Sequence, residues 1–530
     1  MTSAVDAVVI GAGQNGLVAA NRLADAGWDV LVLEQQPTPG GAVRSDRDVH
    51  PDFVHDTFSA FYPLSAVSPP LARLRLSDWG LQWSHAPAVV GNPDPSGGWA
   101  LLHREPGRTA ASLDALNPGD GAVWLDLFEQ WQRISPGLIQ SLLSPFPPVR
   151  GAVRLAAAVP RAGGMDLIRT LVESSDALTS RFTGMGARML IAGNAAHADL
   201  HPQGMGSGLF GLLLAMLGQQ VGFPAPTGGA GELIAAMVRR FEAAGGRLRC
   251  DAAVNRIEVA DGRVVAVRTA DGDRVEVRRA VIADVTAPQL YGGLVPWSDL
   301  PDRVLKGMRR FRWDPGTVKV DWALSGPIPW AGEPAVAPGY VHLADSLAEL
   351  STGHSRIQDG ILPRLPYLLV GAMTTTDPSR SPQGTESVWS YTHVPRQIRG
   401  DAGARNQSEA ISSRWTASDA ERMADRMQAR IEKNAPGFGD RVIARRVLSP
   451  RDLESRDANL VGGALGGGTS DVSQQLVFRP IPGLGRAETP IKGLYLGSSS
   501  AHPGGGVHGA AGDNAARAAL VHARLRPWRR

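Results

Sequence analysis

The 530-residue sequence predicts an α/β protein whose dinucleotide-binding domain is discontinuous along the chain. Three observations predict it. Residues 5–35 spell a complete βαβ fingerprint, residues 226–283 return to the same pattern after a long interruption, and residues 493–524 offer a strand, a glycine-rich turn and a helix. A chain of this length exceeds one compact core, so a second domain is expected in the interruptions. The nucleotide domain is expected over 1–70, 226–290 and 451–530, the second domain over 71–225 and 291–450.

The fingerprint begins with the apolar run Val8–Ile10, a buried parallel strand that empties into Gly11-Ala12-Gly13-Gln14-Asn15-Gly16. A helix of small and aliphatic residues follows from Leu17 to Ala24, Gly27 closes it, and a second strand, Asp29 to Leu33, ends at Glu34, 23 residues after Gly11. In this context the glycines have separate uses. Gly11 permits the tight turn, Gly13 lets the backbone approach a pyrophosphate, Gly16 lets helix and strand touch, and the helix N-terminus offers free N–H groups. Glu34 can accept hydrogen bonds from both hydroxyls of an adenosine ribose and would repel a 2′-phosphate. Pro39-Gly40-Gly41 removes side chains where a second part of the ligand must pass, and Arg44 can meet its phosphate.

Residues 71–225 lose the glycine, turn and strand rhythm and read as helices, among them Gly121–Ile134 with Val123, Leu127 and Trp131 at helical spacing, followed by the proline cluster 144–149. Within the apolar stretch Gly204–Phe223 the continuous apolar core, Leu209–Leu217, is about half the roughly 20 residues a bilayer span needs, and Gln219 and Gln220 interrupt it. It reads as a buried helix, with the wall of an apolar tunnel and a helix resting on a bilayer surface as alternatives. Pro226 to Gly231 then precedes an amphipathic helix, Glu232–Ala244. A hairpin follows, with Ala253–Val259 and Val264–Thr269 around Asp261-Gly262. Val275–Val277 extends the hairpin, and Ala280–Ala283 is read as a separate buried strand. Tyr367–Met373 and Ser387–His393 are strand-like. At the end, the strand Gly493–Gly497 leads into a stretch that holds six glycines from Gly497 to Gly512, before a helix expected at Ala515–Arg524. Two anion-and-ring cradles at opposite ends of the chain suit a ligand longer than one nucleotide half.

The net charge of +3 and the alternation of acids and bases give no nucleic-acid footprint. Cys250 is the only cysteine, so disulfide, zinc-cluster and dithiol redox chemistry are excluded, and Cys250 itself reads as packing. No secretory or transit segment precedes the first strand, so the cytoplasm is the expected location, with peripheral membrane contact left open. His197 and His201 are four apart but lack a third ligand, and no metal is expected. No second GxGxxG unit offers a place for NAD(P)H. The run Gly462–Gly468 lacks a preceding strand.

The fingerprint, Pro39-Gly40-Gly41, Gly228-Gly229-Ala230-Gly231 and Ala501-His502-Pro503-Gly504-Gly505-Gly506-Val507-His508-Gly509 together resemble the FAD-dependent phytoene desaturase-like oxidoreductases. Gly193 to Asp199 and Gly462 to Gly468 look most like the subgroup named pyridine nucleotide-disulfide oxidoreductase domain-containing protein 2. The resemblance implies a glutathione-reductase-type, Rossmann-like FAD domain and an α+β substrate domain. It also implies that Gly11, Gly13, Gly16 and Glu34 hold the ADP half and that Gly40, Gly41 and Arg44 lie toward the pyrophosphate and flavin. Val254 would pair with the adenine through its backbone, and Gly497, Ser498, Gly505, Gly506 and Val507 would bracket the ribityl chain and ring. Ala501 and His508 stand where desaturases usually carry threonine and proline.

The expected activity is that of an oxidase or a dehydrogenase of the desaturase type, passing hydride from an apolar small molecule to flavin and electrons on to oxygen or a quinone. His502 and His508 are the candidates for proton handling, since imidazole titrates near neutrality and both sit in the turn expected against the ring; Asp56 is a third. A flavin amine oxidase and a non-catalytic escort protein are the alternative readings on this scaffold. Oligomeric state is not legible.

Overall fold

The computed structural model describes residues 3–198 and 200–525. The chain opens with β1 (Ser3–Ile10), α1 (Gln14–Asp25) and β2 (Val30–Leu33). It then supplies β3 (Ala88–Pro93), β4 (Trp99–Leu102) and a helical run that includes α2 (Asp120–Leu143), α3 (Val149–Ala158), α4 (Met165–Val172), α5 (Met185–His197) and α6 (Ser207–Val221). Next come α7 (Gly231–Ala243), β5 (Arg247–Arg249), β6 (Val254–Ala260), β7 (Arg263–Thr269) and β8 (Arg274–Ala283). The strands β9 (Gly316–Leu324), β10 (Pro338–Leu343), β11 (Leu368–Ala372) and β12 (Glu386–Val394) precede α8 (Ala417–Asn434) and β13 (Val442–Leu448). The last elements are β14 (Leu494–Leu496) and α9 (Ala510–Leu525).

Two seven-stranded sheets organise these elements. The first runs β6-β7-β8-β1-β2-β5, with β14 also on β8. Its centre is parallel: Ile10 pairs with Ala283 and Leu33, Leu31 with Arg247, and Val281 with Leu494. One face, through Ala7, Val9, Val30 and Ile282, packs on α1, α7 and α9; the other, through Val8, Ile10, Leu31 and Val281, is covered by the β6–β7 hairpin and residues 285–305. Helices on one face of a parallel sheet and an antiparallel meander on the other give the mixed α/β architecture expected. The second sheet runs β13-β9-β12-β11-β10-β3-β4 and is antiparallel except where β10 meets β3. Its strands alternate. Val318, Val320, Val370 and Val388 face α8, while Tyr340, Leu369, Trp389 and Tyr391 face α2, α5 and α6.

Several expectations shift. Residues 275–277 and 280–283 belong to one strand, because Arg278 and Arg279, which interrupt the apolar run, reach Asp6 beside an irregularity in the β1 register at Val5/Ala7. The interval 71–225 contributes β3 and β4 to a sheet as well as helices. The helix expected over 121–134 extends to Leu143, with Trp124, Leu127, Phe128 and Trp131 as its buried face. The apolar stretch 204–223 is the inner helix α6: Gln219 and Gln220 accept hydrogen bonds from the indoles of Trp124 (2.8 Å) and Trp131 (2.9 Å), so it is not the bilayer-facing helix of the alternative reading. Among the described residues no helix is long and apolar enough to cross a membrane.

A buried ion pair ties the two sheets' surroundings together. Asp56 and Arg380, both 0% exposed, lie 3.0 Å apart; Asp56 also accepts from Ser45 Oγ and the Ala230 N–H, and Arg380 donates to Asp377, whose carboxylate takes the Gly228 N–H. Removing one partner of such a pair leaves a buried charge uncompensated, which costs about 3–5 kcal/mol. Asp56→Ala is therefore expected to lower the urea midpoint of unfolding strongly, and Arg380→Met in the same chain to restore part of the loss; an unshifted midpoint for Asp56→Ala would contradict this role.

Candidate functional site

The first cradle is the loop between β1 and α1. Gly11 has φ +95°, and a methyl there would lie 2.9 Å from the Asp284 carbonyl oxygen; one at Gly16 would lie 2.1 Å from the Gly11 carbonyl. The latter contact is the helix–strand approach that the fingerprint requires. Glu34, buried at the end of β2, accepts from the N–H groups of Ala12 (2.7 Å) and Gln36 (2.8 Å), so its carboxylate orders the same loop. Gly40 and Gly41 stack on it: the Gly40 N–H donates to Ala12 O, and a methyl on Gly41 would come within 3.2 Å of Gly13 Cα. Arg44 donates to the carbonyls of Gly41 (3.1 Å) and Arg456 (2.6 Å) and stacks over Phe58, which holds the 40–44 loop in place. Val254 begins β6, two residues after Ala252, whose N–H donates to Glu34 O.

The second cradle lies against the first. The Gly497 N–H donates to Ala283 O, and Ser498 is buried behind it. Gly505 and Gly506 are exposed in the turn that follows; the Val507 and His508 carbonyls are held by the hydroxyls of Ser65 and Ser68. The helix α9 starts at Ala510, earlier than expected, because Gly512 serves packing rather than a turn: a methyl there would lie 1.9 Å from Asn15 O. The N-termini of α1 and α9 thus sit side by side, and Asp513 in the first turn of α9 is paired with Arg22 and Arg73. Beneath the turn lies the Gly462–Gly468 run, which the sequence reading left without a use. The Asp314 carboxylate accepts the Gly466 and Gly468 N–H groups, and the buried guanidinium of Arg479 donates to the carbonyls of Gly466, Thr469 and Ser499.

These residues fit an FAD-like ligand. Gln14 Oε1, Asn15 Oδ1 and both amide atoms of Asn514 are buried at the starts of α1 and α9 without a partner among the described residues. Buried polar atoms are rarely left so, and a hydroxyl- and phosphate-bearing ligand supplies what they lack.

The three residues expected to handle protons fare differently. Asp56 is not available for catalysis, since it is consumed by Arg380, Ser45 and Ala230. His508 is also corrected: it is buried, its Nδ1 accepts the Ala510 N–H at 3.0 Å, and burial pulls its pKa down to about 4, so it is a neutral cap of α9. His502 is buried too, and burial lowers its pKa; one ring nitrogen, Nε2, donates to Ser144 O, while Nδ1 has no partner. His197 and His201 diverge, His197 Nδ1 toward the hydroxyls of Tyr340 (3.0 Å) and Tyr391 (3.2 Å), His201 toward Ser355; Asp199 lies outside the described residues.

An apolar and aromatic wall reaches from the second cradle to the second sheet. One buried cluster runs from Ala510, at the second cradle, through Phe61 and Leu64 to Tyr340, Leu369, Trp389 and Tyr391 on the second sheet. Phe61 meets Tyr340 edge-on at 5.2 Å, as does Trp389 with Tyr391 at 5.1 Å. Burial pulls His197 down to about 4 and His342 to about 3, so both imidazoles of the wall are neutral at neutral pH. Beside it Lys319 pairs with Asp321, and Arg446 bridges Asp321 to Asp46; burial brings Lys319 down to about 8, against the opposing pull of Asp321. Sequence reasoning missed Lys319, Asp284, Asp314 and Arg479, each a charged residue within or beside an apolar or glycine-rich run, which is the signal that could have marked them.

Asp284 follows β8 and reaches into the first cradle, where its Oδ2 accepts the Gly16 N–H at 2.8 Å. Burial raises its pKa from 3.8 to about 8, with Asp457 and Glu34 adding to the rise and the Gly16 bond opposing it. The folded chain therefore keeps a proton that the unfolded chain releases, and between those values stability falls as pH rises, levelling off above about 8. Asp284→Asn keeps an acceptor for Gly16 without the charge. Its melting temperature should exceed that of the native chain by a margin that widens from pH 5 to pH 8; a constant margin would contradict the buried proton.

Comparison with known proteins places the chain among flavoproteins. Residues 9–74 match the NAD(P)-binding Rossmann-like domain and residues 160–393 the flavin containing amine oxidoreductase family. The chain is 27% identical to pyridine nucleotide-disulfide oxidoreductase domain-containing protein 2 of Mus musculus, over 96% of this chain and 92% of that one. It is 26% identical to the lycopene-forming phytoene desaturase of Pseudescherichia vulneris, over 97% and 98%. A solved putrescine oxidase bound to putrescine shares the fold with a TM-score of 0.60 at 17% identity, over 99% of this chain and 100% of that one. The cofactor is FAD, the non-catalytic reading is set aside, and the chain is a flavin-dependent oxidoreductase similar to the flavin containing amine oxidoreductases and to the phytoene desaturases.

Proposed function

We propose that this chain oxidises an apolar, polyene- or lipid-like small molecule and that oxygen or a quinone takes the electrons. The observation that carries the reading is the wall from Ala510 to Tyr391: it joins the second cradle to the inner face of the second sheet with apolar and aromatic side chains and neutral imidazoles. Bound FAD supplies the hydride acceptor. On this reading Gly11, Gly13 and Gly16 admit the pyrophosphate, Glu34 takes the ribose hydroxyls and Val254 offers its backbone to the adenine. Gly40, Gly41 and the loop that Arg44 orders lie along the middle of the ligand, and Gly497, Ser498, Gly505, Gly506 and Val507 bracket its ring end. The wall excludes water and orients a C–H bond of the substrate. His502 Nδ1, the free ring nitrogen of the turn, holds the proton released with the hydride.

The aromatic group Phe61, Tyr340, Trp389 and Tyr391 favours a second reading, a flavin amine oxidase, for which such rings would flank an amine. Anaerobic mixing separates the two. Polyenes or lipid extracts should bleach the flavin band and simple amines should not; rapid bleaching by amines alone would overturn the first reading in favour of the second.

Two variants test the residue roles. Each hydrogen bond lost from a charged acceptor is worth roughly 1.5–3 kcal/mol, or about 10- to 150-fold in affinity, so Glu34→Ala should purify largely colourless; full yellow occupancy would remove Glu34 from the cradle. His502→Gln should keep its flavin but reduce it more slowly with substrate, and unchanged reduction would return His502 to a structural role.

A further inference from the structure

We infer that the outer face of α3 and α4, continued by Met205 and Val472, is a docking surface for an anionic lipid bilayer. The helices α3 and α4 are fixed to the body by their inner sides. Gly137 and Gly151 allow α3 to lie directly on α2, and Leu155, Ala158, Val159 and Leu171 close over Ile134 and Ala162. Their outer sides are apolar where a soluble surface is polar: Val149 is 62% exposed, Val153 65%, Met165 75% and Val172 52%. Met205 (75%) and Val472 (50%) continue the patch. The Gly206 N–H donates to Val172 O, and a methyl on Gly206 would lie 3.6 Å from Val472 Cγ2, so these residues are neighbours in space. Six exposed apolar side chains on these neighbouring segments are more than singly scattered surface residues, and such a grouping marks an interaction surface.

Charge identifies the occupant. From residue 130 to residue 165 the chain contains no Asp or Glu, while Arg150, Arg154 and Arg161, with Arg169 on α4, are exposed around the apolar residues; these four arginines outnumber the two acids nearby, the exposed Asp166 on α4 and Asp471 beside Val472. None of these four forms an ion pair among the described residues. Two copies of such a face would repel each other on self-association, whereas anionic headgroups would neutralise the arginines as Val153 and Met165 enter the acyl boundary. With no helix able to span a bilayer among the described residues, contact would lie in the interface plane. The inference deepens the apolar-substrate reading and rests on it only for its purpose, delivery of a substrate that partitions into lipid. Binding is measured without substrate, so either idea can fail alone.

The test is flotation of the flavin-loaded full chain with vesicles of phosphatidylcholine alone or mixed with phosphatidylglycerol. The native chain should float with the anionic vesicles, less at high salt and much less on phosphatidylcholine alone. Val153→Asp/Met165→Asp should reduce flotation at least tenfold while keeping flavin content and melting temperature. Trp297→Asp, at a residue 62% exposed elsewhere in the chain, should float like the native protein. Failure of the native chain to float, equal flotation of the double variant, equal loss in Trp297→Asp, or a native dimer that the double variant converts to monomer would each overturn the proposal.

Discussion

The contact on which the rest depends is the one between the first turns of α1 and α9, where Gly512 rests on the carbonyl of Asn15. A side chain at that point would push the two helix starts apart. Their positive ends are adjacent only because β14 pairs with β8 and β8 with β1, so two loops from opposite ends of the sequence are laid side by side by strand order. Every later feature inherits that geometry. Gly505 and Gly506 are placed opposite Gln14, the Gly462–Gly468 run is pressed under them by Asp314 and Arg479, and the wall of the second sheet begins at Ala510.

A buried charge in the interior meets a counter-charge, is held by backbone groups as Arg479 is, or gives up its charge. Asp56 meets Arg380, Lys319 meets Asp321, and Arg446 meets Asp46 and Asp321, which together join the loop 44–57 to the second sheet. Asp284 lacks a cation and holds its proton; His197, His342 and His508 lack an anion and stay neutral. The groups around the wall are consequently neutral or, like Lys319 over the Trp389 ring, paired, which on the proposed reading would let an apolar substrate be held dry.

What could be read from the sequence was local or compositional. The βαβ unit, Glu34, the Asp261-Gly262 hairpin and the burial of α6 each follow from spacing within a few tens of residues. The convergence of two glycine-rich ends followed from a single physical argument about ligand length. What could not be read depended on partners distant in sequence. Nothing near Asp56 announces Arg380, and nothing near His508 shows that its ring will cap the next helix. Gly512 looks like a turn residue until Asn15 is beside it. Arg278 and Arg279 look like a strand break until Asp6 receives them.

The central claim is that the two ends form one grip on one cofactor. It is tested most directly by the flavin content of the purified chain and of Gly512→Val, with far-ultraviolet circular dichroism to confirm folding. The account predicts one FAD per native chain and a folded, nearly colourless variant. A folded Gly512→Val as yellow as the native protein would contradict it.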